Sequence, residues 1–142
     1  MEVVVVMILL SIVSVAVVPS WNSAQANLNH QAELLVRNLN HAQVLAMHRA
    51  TSLTINFSST TYSVSDAGGI ITDPATGTPF TISLDEGVTF STWSDFTVDS
   101  LGRPNSGVVL ASTPFTQTLL GGNRSKVVTV SPISGVVTIT EG

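Results

Sequence analysis

The sequence predicts an α+β fold, a long kinked N-terminal α-helix packed on a C-terminal antiparallel β-sheet head, and three observations carry the prediction. Residues 3–18 read VVVVMILLSIVSVAVV, a run of apolar and hydroxyl-bearing side chains closed by Pro19. Beyond Pro19 the apolar residues recur in three- and four-residue steps as far as Leu53, and after Leu53 they alternate. A helical period followed by a strand period is the order of an α+β chain, with the C-terminal half of the helix lying on the sheet.

The first element is membrane-grade in composition but carries Glu2, its only charge. An isolated acid in hydrocarbon costs roughly 2.5 to 3.5 kcal/mol, so such a residue has a partner and a task. The 16 residues of the run fall short of the roughly 20 that span a bilayer but are enough to insert. A secretory signal peptide would place a basic region before the run and small residues after it. Here Glu2 stands before it and Val17-Val18-Pro19-Ser20-Trp21 after it. A plain transmembrane anchor accounts neither for Glu2 nor for the helical pattern that continues past Pro19. Because proline removes a backbone donor and clashes with the preceding turn, a kink or a locally melted turn is expected at Pro19, within a rod about 75 Å long.

The second element is an amphipathic helix over residues 24–53. Ala24, Leu28, Ala32, Leu35, Leu39, Ala42, Ala46, Ala50 and Leu53 share a sector of about 80°, while His30, Arg37, His41 and His48 fall on the opposite side. The head then follows as strands within 54–142. Alternation begins at 53–57 and 62–64, and further strands are expected over 80–84, 88–90, 96–98, 107–111, 115–119, 126–130 and 135–140. Asp66-Ala67-Gly68-Gly69, Asp85-Glu86-Gly87 and Gly121-Gly122-Asn123 supply turns between them. Two regions result, residues 1–23 as the hydrophobic N-terminal helix and 24–142 as one globular head.

Composition excludes several functions. The 142 residues carry 10% charged side chains and a net charge of -4. The five basic residues, Arg37, Arg49, Arg103, Arg124 and Lys126, are scattered, so a nucleic-acid backbone finds little to hold and no nucleic-acid partner is expected. The absence of cysteine rules out disulfides, thiolate catalysis and thiolate metal sites.

No cofactor, metal or catalytic residue is predicted, and the chain is read as a non-enzyme. His41 and His48, the nearest histidine pair, stand two helical turns apart, too far to share one metal ion. The three histidines are therefore read as a solvated or subunit-facing polar stripe. There is no G-x-S-x-G elbow to arm a serine. Gly121-Gly122-Asn123-Arg124-Ser125-Lys126 lacks the spacing of a phosphate loop and reads as a hairpin turn. Asp73, Asp85, Glu86 and Asp99 read as solvated turn acids rather than calcium ligands. Asn56-Phe57-Ser58 and Asn123-Arg124-Ser125 match the glycosylation sequon, a frequent chance match from which no sugar is assigned.

Two sets of residues resemble a known family. Glu2-Val3-Val4-Val5-Val6-Met7-Ile8-Leu9-Leu10-Ser11-Ile12, with Pro19 seventeen residues after the glutamate, is similar to the N-terminus of type IV pilins and type II secretion pseudopilins. In that family a leader is removed before an N-methylated phenylalanine, which is followed by Thr, Leu, one further apolar residue and the glutamate. Met1 matches that further apolar residue, and the preceding positions of the family pattern have no counterpart in the sequence. The stretch Leu35-Val36-Arg37-Asn38-Leu39-Asn40-His41-Ala42-Gln43-Val44-Leu45-Ala46-Met47-His48-Arg49, then Phe96-Thr97-Val98-Asp99-Ser100-Leu101-Gly102-Arg103-Pro104 and Ser131-Pro132-Ile133-Ser134-Gly135, resembles the H-type pseudopilin and related minor-pilin group. DNA-binding members of that group carry arginines after the closing glycine. Here Gly135 is followed by Val136 and Val137, which departs from that pattern.

The resemblance implies a pilin fold and a structural subunit of an extracellular type IV pilus-like or pseudopilus filament. It implies that Glu2, Met1 and Pro19 serve assembly, and that Val3, Val4, Val5, Val6, Met7, Ile8, Leu9, Leu10, Ile12 and Val13 form the filament-core helix. Glu2 would meet the N-terminal amine of a neighbouring subunit, and the expected partners are copies of this chain or other pilin-like subunits. The inner membrane, crossed once, and the assembly machinery precede the filament. Two alternatives stay open: a minor pseudopilin of a type II secretion system, and a membrane-tethered β-sheet module for binding or adhesion.

Overall fold

In the computed structural model, which describes residues 2–16 and 23–142, the apolar run forms α1 (Glu2–Ala16) and the amphipathic segment forms α2 (Ser23–Arg49). Met1 and Pro19, with the kink expected at the proline, lie outside the described residues, as does the side chain of Val13. Helix α2 is 27 residues long, about 40 Å at 1.5 Å per residue.

Helix α2 ends four residues before the expected boundary. Ala50 takes a left-handed φ of 51°, its amide bonds to the Met47 carbonyl at 3.2 Å, and the Thr51 amide bonds to the Ala46 carbonyl at 3.2 Å. That pair of bonds is a Schellman cap, made here on alanine where glycine is usual. Leu53, assigned from its spacing to the helix, is instead the first residue of β1 and is fully buried. Spacing alone misplaced it because a residue on the core side of a helix end and one on the core side of a strand start look alike.

Two antiparallel sheets make up the head. The strands are β1 (Leu53–Phe57), β2 (Thr61–Asp66), β3 (Gly69–Ile70), β4 (Thr81–Ser83), β5 (Val88–Thr92), β6 (Phe96–Val98), β7 (Pro104–Ser106), β8 (Val109–Leu110), β9 (Phe115–Gly121), β10 (Arg124–Val130) and β11 (Val137–Glu141). The first sheet runs β3-β2-β1-β6-β7-β8 with β4 also on β2, and the second runs β11-β10-β9-β5. Strand β5 leaves the first sheet to pair with β9, and β6 returns to pair with β1. Alternation reveals which residues face inward but not which strand is the neighbour, so a division into two sheets was not visible in the sequence.

Both sheets and α2 enclose one core. Leu28, Ala32, Leu35, Leu39, Ala42, Leu45 and Ala46 come from the helix, Leu53, Ile55, Phe57, Tyr62, Val64, Phe96 and Val98 from the first sheet, and Val88, Phe90, Leu119, Val128 and Val130 from the second. Phe57 and Phe90 bridge the sheets edge to face, with centroids 5.3 Å apart, a favoured aromatic geometry. Burial pushes the Tyr62 hydroxyl up to about 12, against the smaller opposite pull of its hydrogen bond from Asn38 and the charge of Arg37. The Asn38 amide donates to that oxygen at 2.7 Å, which satisfies the polar tip of an otherwise apolar ring.

Two expected strands change character. Residues 107–111, an apolar run, divide into the turn of the β7–β8 hairpin and β8 itself, with Ser106 opposite Val109. Gly135, expected in the last strand, sits instead in the turn before β11 with φ 71°. The hairpin expected at Gly121-Gly122-Asn123 is present, with Gly121 opposite Arg124 and Gly122 at φ 63°, the glycine-first pattern of a tight two-residue hairpin loop.

Candidate functional site

A helix apolar around its whole circumference belongs inside something, since water stabilises no part of such a surface. Helix α1 has that character. Val3, Val4, Val5, Val6, Met7, Ile8, Leu9, Leu10 and Ile12 are 53 to 72% exposed, and Glu2 stands exposed in the first turn. The sequence-predicted assembly residues that the structure describes therefore lie together on one element. Ser11 donates its hydroxyl to the Met7 carbonyl at 2.7 Å, so its polar group is satisfied within the helix and does not oppose transfer into an apolar environment. Full burial of an aliphatic side chain stabilises by about 1.5 to 3 kcal/mol. Nine half-exposed side chains thus hold on the order of 10 kcal/mol of unused driving force. Fifteen residues span about 22 Å, and among the described residues no helix is long and apolar enough to cross a membrane.

Glycines at two strand ends seat α2 on the head. A Cβ on Gly121 would lie 2.5 Å from the Ala24 carbonyl oxygen and 2.7 Å from Leu28 Cβ, and one on Gly87 would lie 3.1 Å from Ala24 Cβ. The first turns of α2 therefore rest directly on β9 and on the turn before β5. Asn27 adds a hydrogen bond to the Glu86 carbonyl at 3.2 Å.

The motifs around Gly102-Arg103-Pro104 and Ser131-Pro132-Ile133-Ser134-Gly135 meet against the other end of the helix. A Cβ on Gly102 would touch the Met47 side chain at 3.2 Å, and one on Gly135 would lie 2.8 Å from Gln43 Nε2 and 2.9 Å from the Gly102 carbonyl oxygen. Gln43 Nε2 donates to the Gly135 carbonyl at 2.7 Å. Segments far apart in the chain form one seam here between helix and sheets. Sequence reasoning recorded these motifs, with Gln43 and Met47 inside the helical stretch, as a likeness but had no means of finding that these two side chains join the turns. The glycines themselves were the available signal, and in the structure both take a positive φ, 76° at Gly102 and 71° at Gly135.

The charged residues serve this framework. Asp99 Oδ1 accepts from the Leu101 and Arg103 amides, each at 2.9 Å, and Oδ2 accepts from Arg103 Nε at 3.0 Å and Nη2 at 2.8 Å. Partial burial pushes the Asp99 carboxyl up, but the Arg103 amide and guanidinium and the Leu101 amide together hold it below the usual range. Asp73 behaves alike: burial raises it, and the Ala75 amide, His41 and the Thr76 hydroxyl outweigh that and lower it.

The uniform polar stripe expected for the histidines is corrected here. His41 Nε2 lies 3.0 Å from Asp73 Oδ1 and its ring stacks on Phe80 with centroids 5.8 Å apart, so this histidine pins the 71–80 segment to α2. His30, 3.6 Å from Asp85, stays at the exposed surface. The solvated-acid reading is likewise corrected for Asp73 and Asp99, whose side chains are only 14% exposed. No group of three or more His, Cys, Asp or Glu able to hold a metal ion occurs among the described residues.

Inside the head, Gln117 is fully buried and uses both ends of its amide. Nε2 donates to the Ser94 carbonyl at 2.8 Å and Oε1 accepts from the Ser94 amide at 3.1 Å. This clamp fixes the segment between β5 and β6 where the chain passes from one sheet to the other. Sequence reasoning missed it, because a single glutamine in a strand carries no signal of its partner.

No family model matches the chain, and no curated protein matches it in sequence. Solved structures do match. The minor pseudopilin EpsH from the type 2 secretion system of Vibrio cholerae superposes with a TM-score of 0.60 at 14% identity, over 81% of this chain and 97% of that one. The type IV minor pilin FimU of Pseudomonas aeruginosa strain PAO1 superposes with a TM-score of 0.59 at 15% identity, over 82% of this chain and 90% of that one. At such identities the likeness is one of fold, and the chain has the helix-on-antiparallel-sheet fold of these two proteins.

Proposed function

We propose that this chain is a structural subunit of an extracellular type IV pilus-like or pseudopilus filament, assembled through its N-terminal hydrophobic helix. The observation that carries the proposal is α1, apolar on every side, exposed over residues 2–12, and headed by a single carboxylate. The fold shared with a minor pseudopilin and a minor pilin supports the same reading, and favours a minor component of a pilus or of a type II secretion system.

In this reading α1 occupies two successive environments, the inner membrane before assembly and the helices of other subunits afterwards. Glu2 supplies register. In an apolar core an unpaired carboxylate carries a penalty of several kcal/mol, whereas one that meets the N-terminal amine of a neighbouring subunit is compensated. Wrongly staggered subunits are thereby disfavoured. Met1 and Pro19 are assigned to assembly together with Glu2. The head makes no chemical step of its own; it is the exposed part of the polymer, and no enzyme activity and no nucleic-acid partner are assigned to it.

Replacing Glu2 with alanine tests the reading. A filament subunit should lose at least ten-fold in sheared, sedimentable filaments while the chain stays in the membrane fraction. An anchor for a β-sheet binding module would tolerate the change, so unaltered surface display with no filaments from the unsubstituted chain favours that alternative.

A further inference from the structure

The second sheet turns its charges toward the helix and none toward solvent. Strands β5, β9, β10 and β11 hold three charged residues, Arg124, Lys126 and Glu141. All three line the groove between this sheet and α2, where Glu33 of the helix faces them, and Lys126 pairs with Glu141. The register agrees: Arg124 stands opposite Gly121, Lys126 opposite Leu119 and Val128 opposite Gln117, the alternate positions that continue into the core. An antiparallel sheet with one buried face ordinarily sends charge to the solvated side.

The open face carries a grid of threonines instead. Thr138, Thr129 and Thr116 stand side by side on β11, β10 and β9, and Thr140, Val127 and Thr118 form the next row. Thr92 of β5 extends that row opposite Thr118. Strands lie about 4.8 Å apart and alternate residues of one strand about 6.8 Å apart, so the hydroxyls repeat in two directions. Those of Thr116, Thr129, Thr138 and Thr140 make no hydrogen bond to any described residue. A protein-binding patch would be enriched in aromatic residues, Met and Arg and depleted in hydroxyls, and this face has the opposite composition.

Trp93 follows Thr92 at the edge of the grid and is 42% exposed, while every other described aromatic side chain is at least partly buried. The residues on both sides of it are fixed. The Thr92 hydroxyl donates to the Thr118 hydroxyl at 2.9 Å, and the buried Gln117 holds Ser94 by both its amide and its carbonyl. Positions fixed beforehand lower the ordering cost of a contact.

We infer that the open face of the second sheet, with Trp93 at its edge, binds the surface of an uncharged polysaccharide. The inference goes beyond the filament reading and stands on the head alone. Threonine presents a methyl beside a hydroxyl that both donates and accepts, which suits sugar rings that alternate C–H and O–H groups. An indole adds an apolar face and one N–H donor for the same rings. A face without charge imposes no desolvation penalty of an ion when a neutral ligand covers it.

The test incubates the detergent-solubilised full chain with microcrystalline cellulose and, separately, with starch granules, and measures the bound fraction after sedimentation. The inference expects saturable binding to at least one of them, displaced by the matching soluble hexasaccharide. Trp93→Ala and Thr138→Glu should each weaken it at least ten-fold, and Ser106→Glu, an exposed site on β7 of the other sheet, should leave it unchanged. Urea unfolding shows which variants keep the parent's stability; if Thr138→Glu does not, Thr138→Val removes only the hydroxyl and should still weaken binding several-fold. Binding to neither polysaccharide overturns the inference, as does binding that the hexasaccharide cannot displace or that survives the face variants. Variants that bind as the parent does but no longer enter filaments also overturn it, since the face would then be a subunit contact and the filament reading would stand.

Discussion

Gly121→Ala should lift the N-terminal end of α2 from the sheet. The added methyl would stand 2.5 Å from the Ala24 carbonyl oxygen and 2.7 Å from Leu28 Cβ. Ordinary contact lies near 3.5 Å, so helix or strand must retreat by about 1 Å. The obstructing atoms belong to backbone and to a Cβ, which cannot swing away as the end of a flexible side chain can. Leu28 is 1% exposed, so the retreat opens the core beside it. Overpacking of this kind costs about 1 to 3 kcal/mol, and about 2 kcal/mol is expected here. Gly107→Ala is the matched control, because its φ of 79° strains alanine while nothing lies within 4 Å, leaving a backbone cost of about 1 kcal/mol. Urea unfolding of the detergent-solubilised chain, followed by circular dichroism, measures both. If Gly121→Ala unfolds within 0.5 kcal/mol of the parent, or costs no more than Gly107→Ala, the seating of α2 on β9 is wrong.

Ala50→Gly should stabilise the head by roughly 0.5 to 1 kcal/mol, since glycine relieves the left-handed φ of 51° at an exposed position and part of the gain is returned as unfolded-chain entropy; a lowered urea midpoint at constant slope contradicts the cap. Acid should weaken the head through Asp73 and Asp99, whose carboxyls are held below their ordinary value in the folded chain. A depressed carboxyl adds stability that is complete above its unfolded pKa of about 3.9 and is lost as pH falls through the lower folded value. The urea midpoint should therefore drop below about pH 4, and Asp99→Asn should shrink that drop while lowering the midpoint at neutral pH. An Asp99→Asn profile parallel to the parent's contradicts the assignment.

Much of the architecture was legible because periodicity reports directly on burial. The steps Leu28, Ala32, Leu35, Leu39, Ala42 and Ala46 proved to be the core face of α2, and Ile55, Phe57 and Val64 the core face of β1 and β2. Leu45, also buried, escaped because it widens the stripe rather than continuing its steps. Periodicity failed where a run of apolar residues had no polar alternation to orient it. Residues 107–111 read as a strand, yet Gly107 turns the chain back and exposes Val108 to Leu110. His41 was read from its position on the polar side of the helix, and only the folded 71–80 segment brings Asp73 and Phe80 to it. Asp99 was read as a turn acid, which it is, but the sequence did not reveal that Arg103 closes the turn over it.

By itself the sequence determined the class of structure, the single charge at the head of an all-apolar helix, and the faces of α2 and of the longer strands. These properties depend on residues a few positions apart, where covalent geometry dictates which side chains share a side. Only the tertiary structure decided that the head is two sheets rather than one, that Gly121 and Gly87 form the seat of α2, and that Gln43 and Met47 join the turns at Gly102 and Gly135. It alone decided that one apolar run would be displayed rather than buried. Each of these depends on residues distant in the chain arriving within a few ångströms, and local pattern does not encode which distant partner closes a given surface.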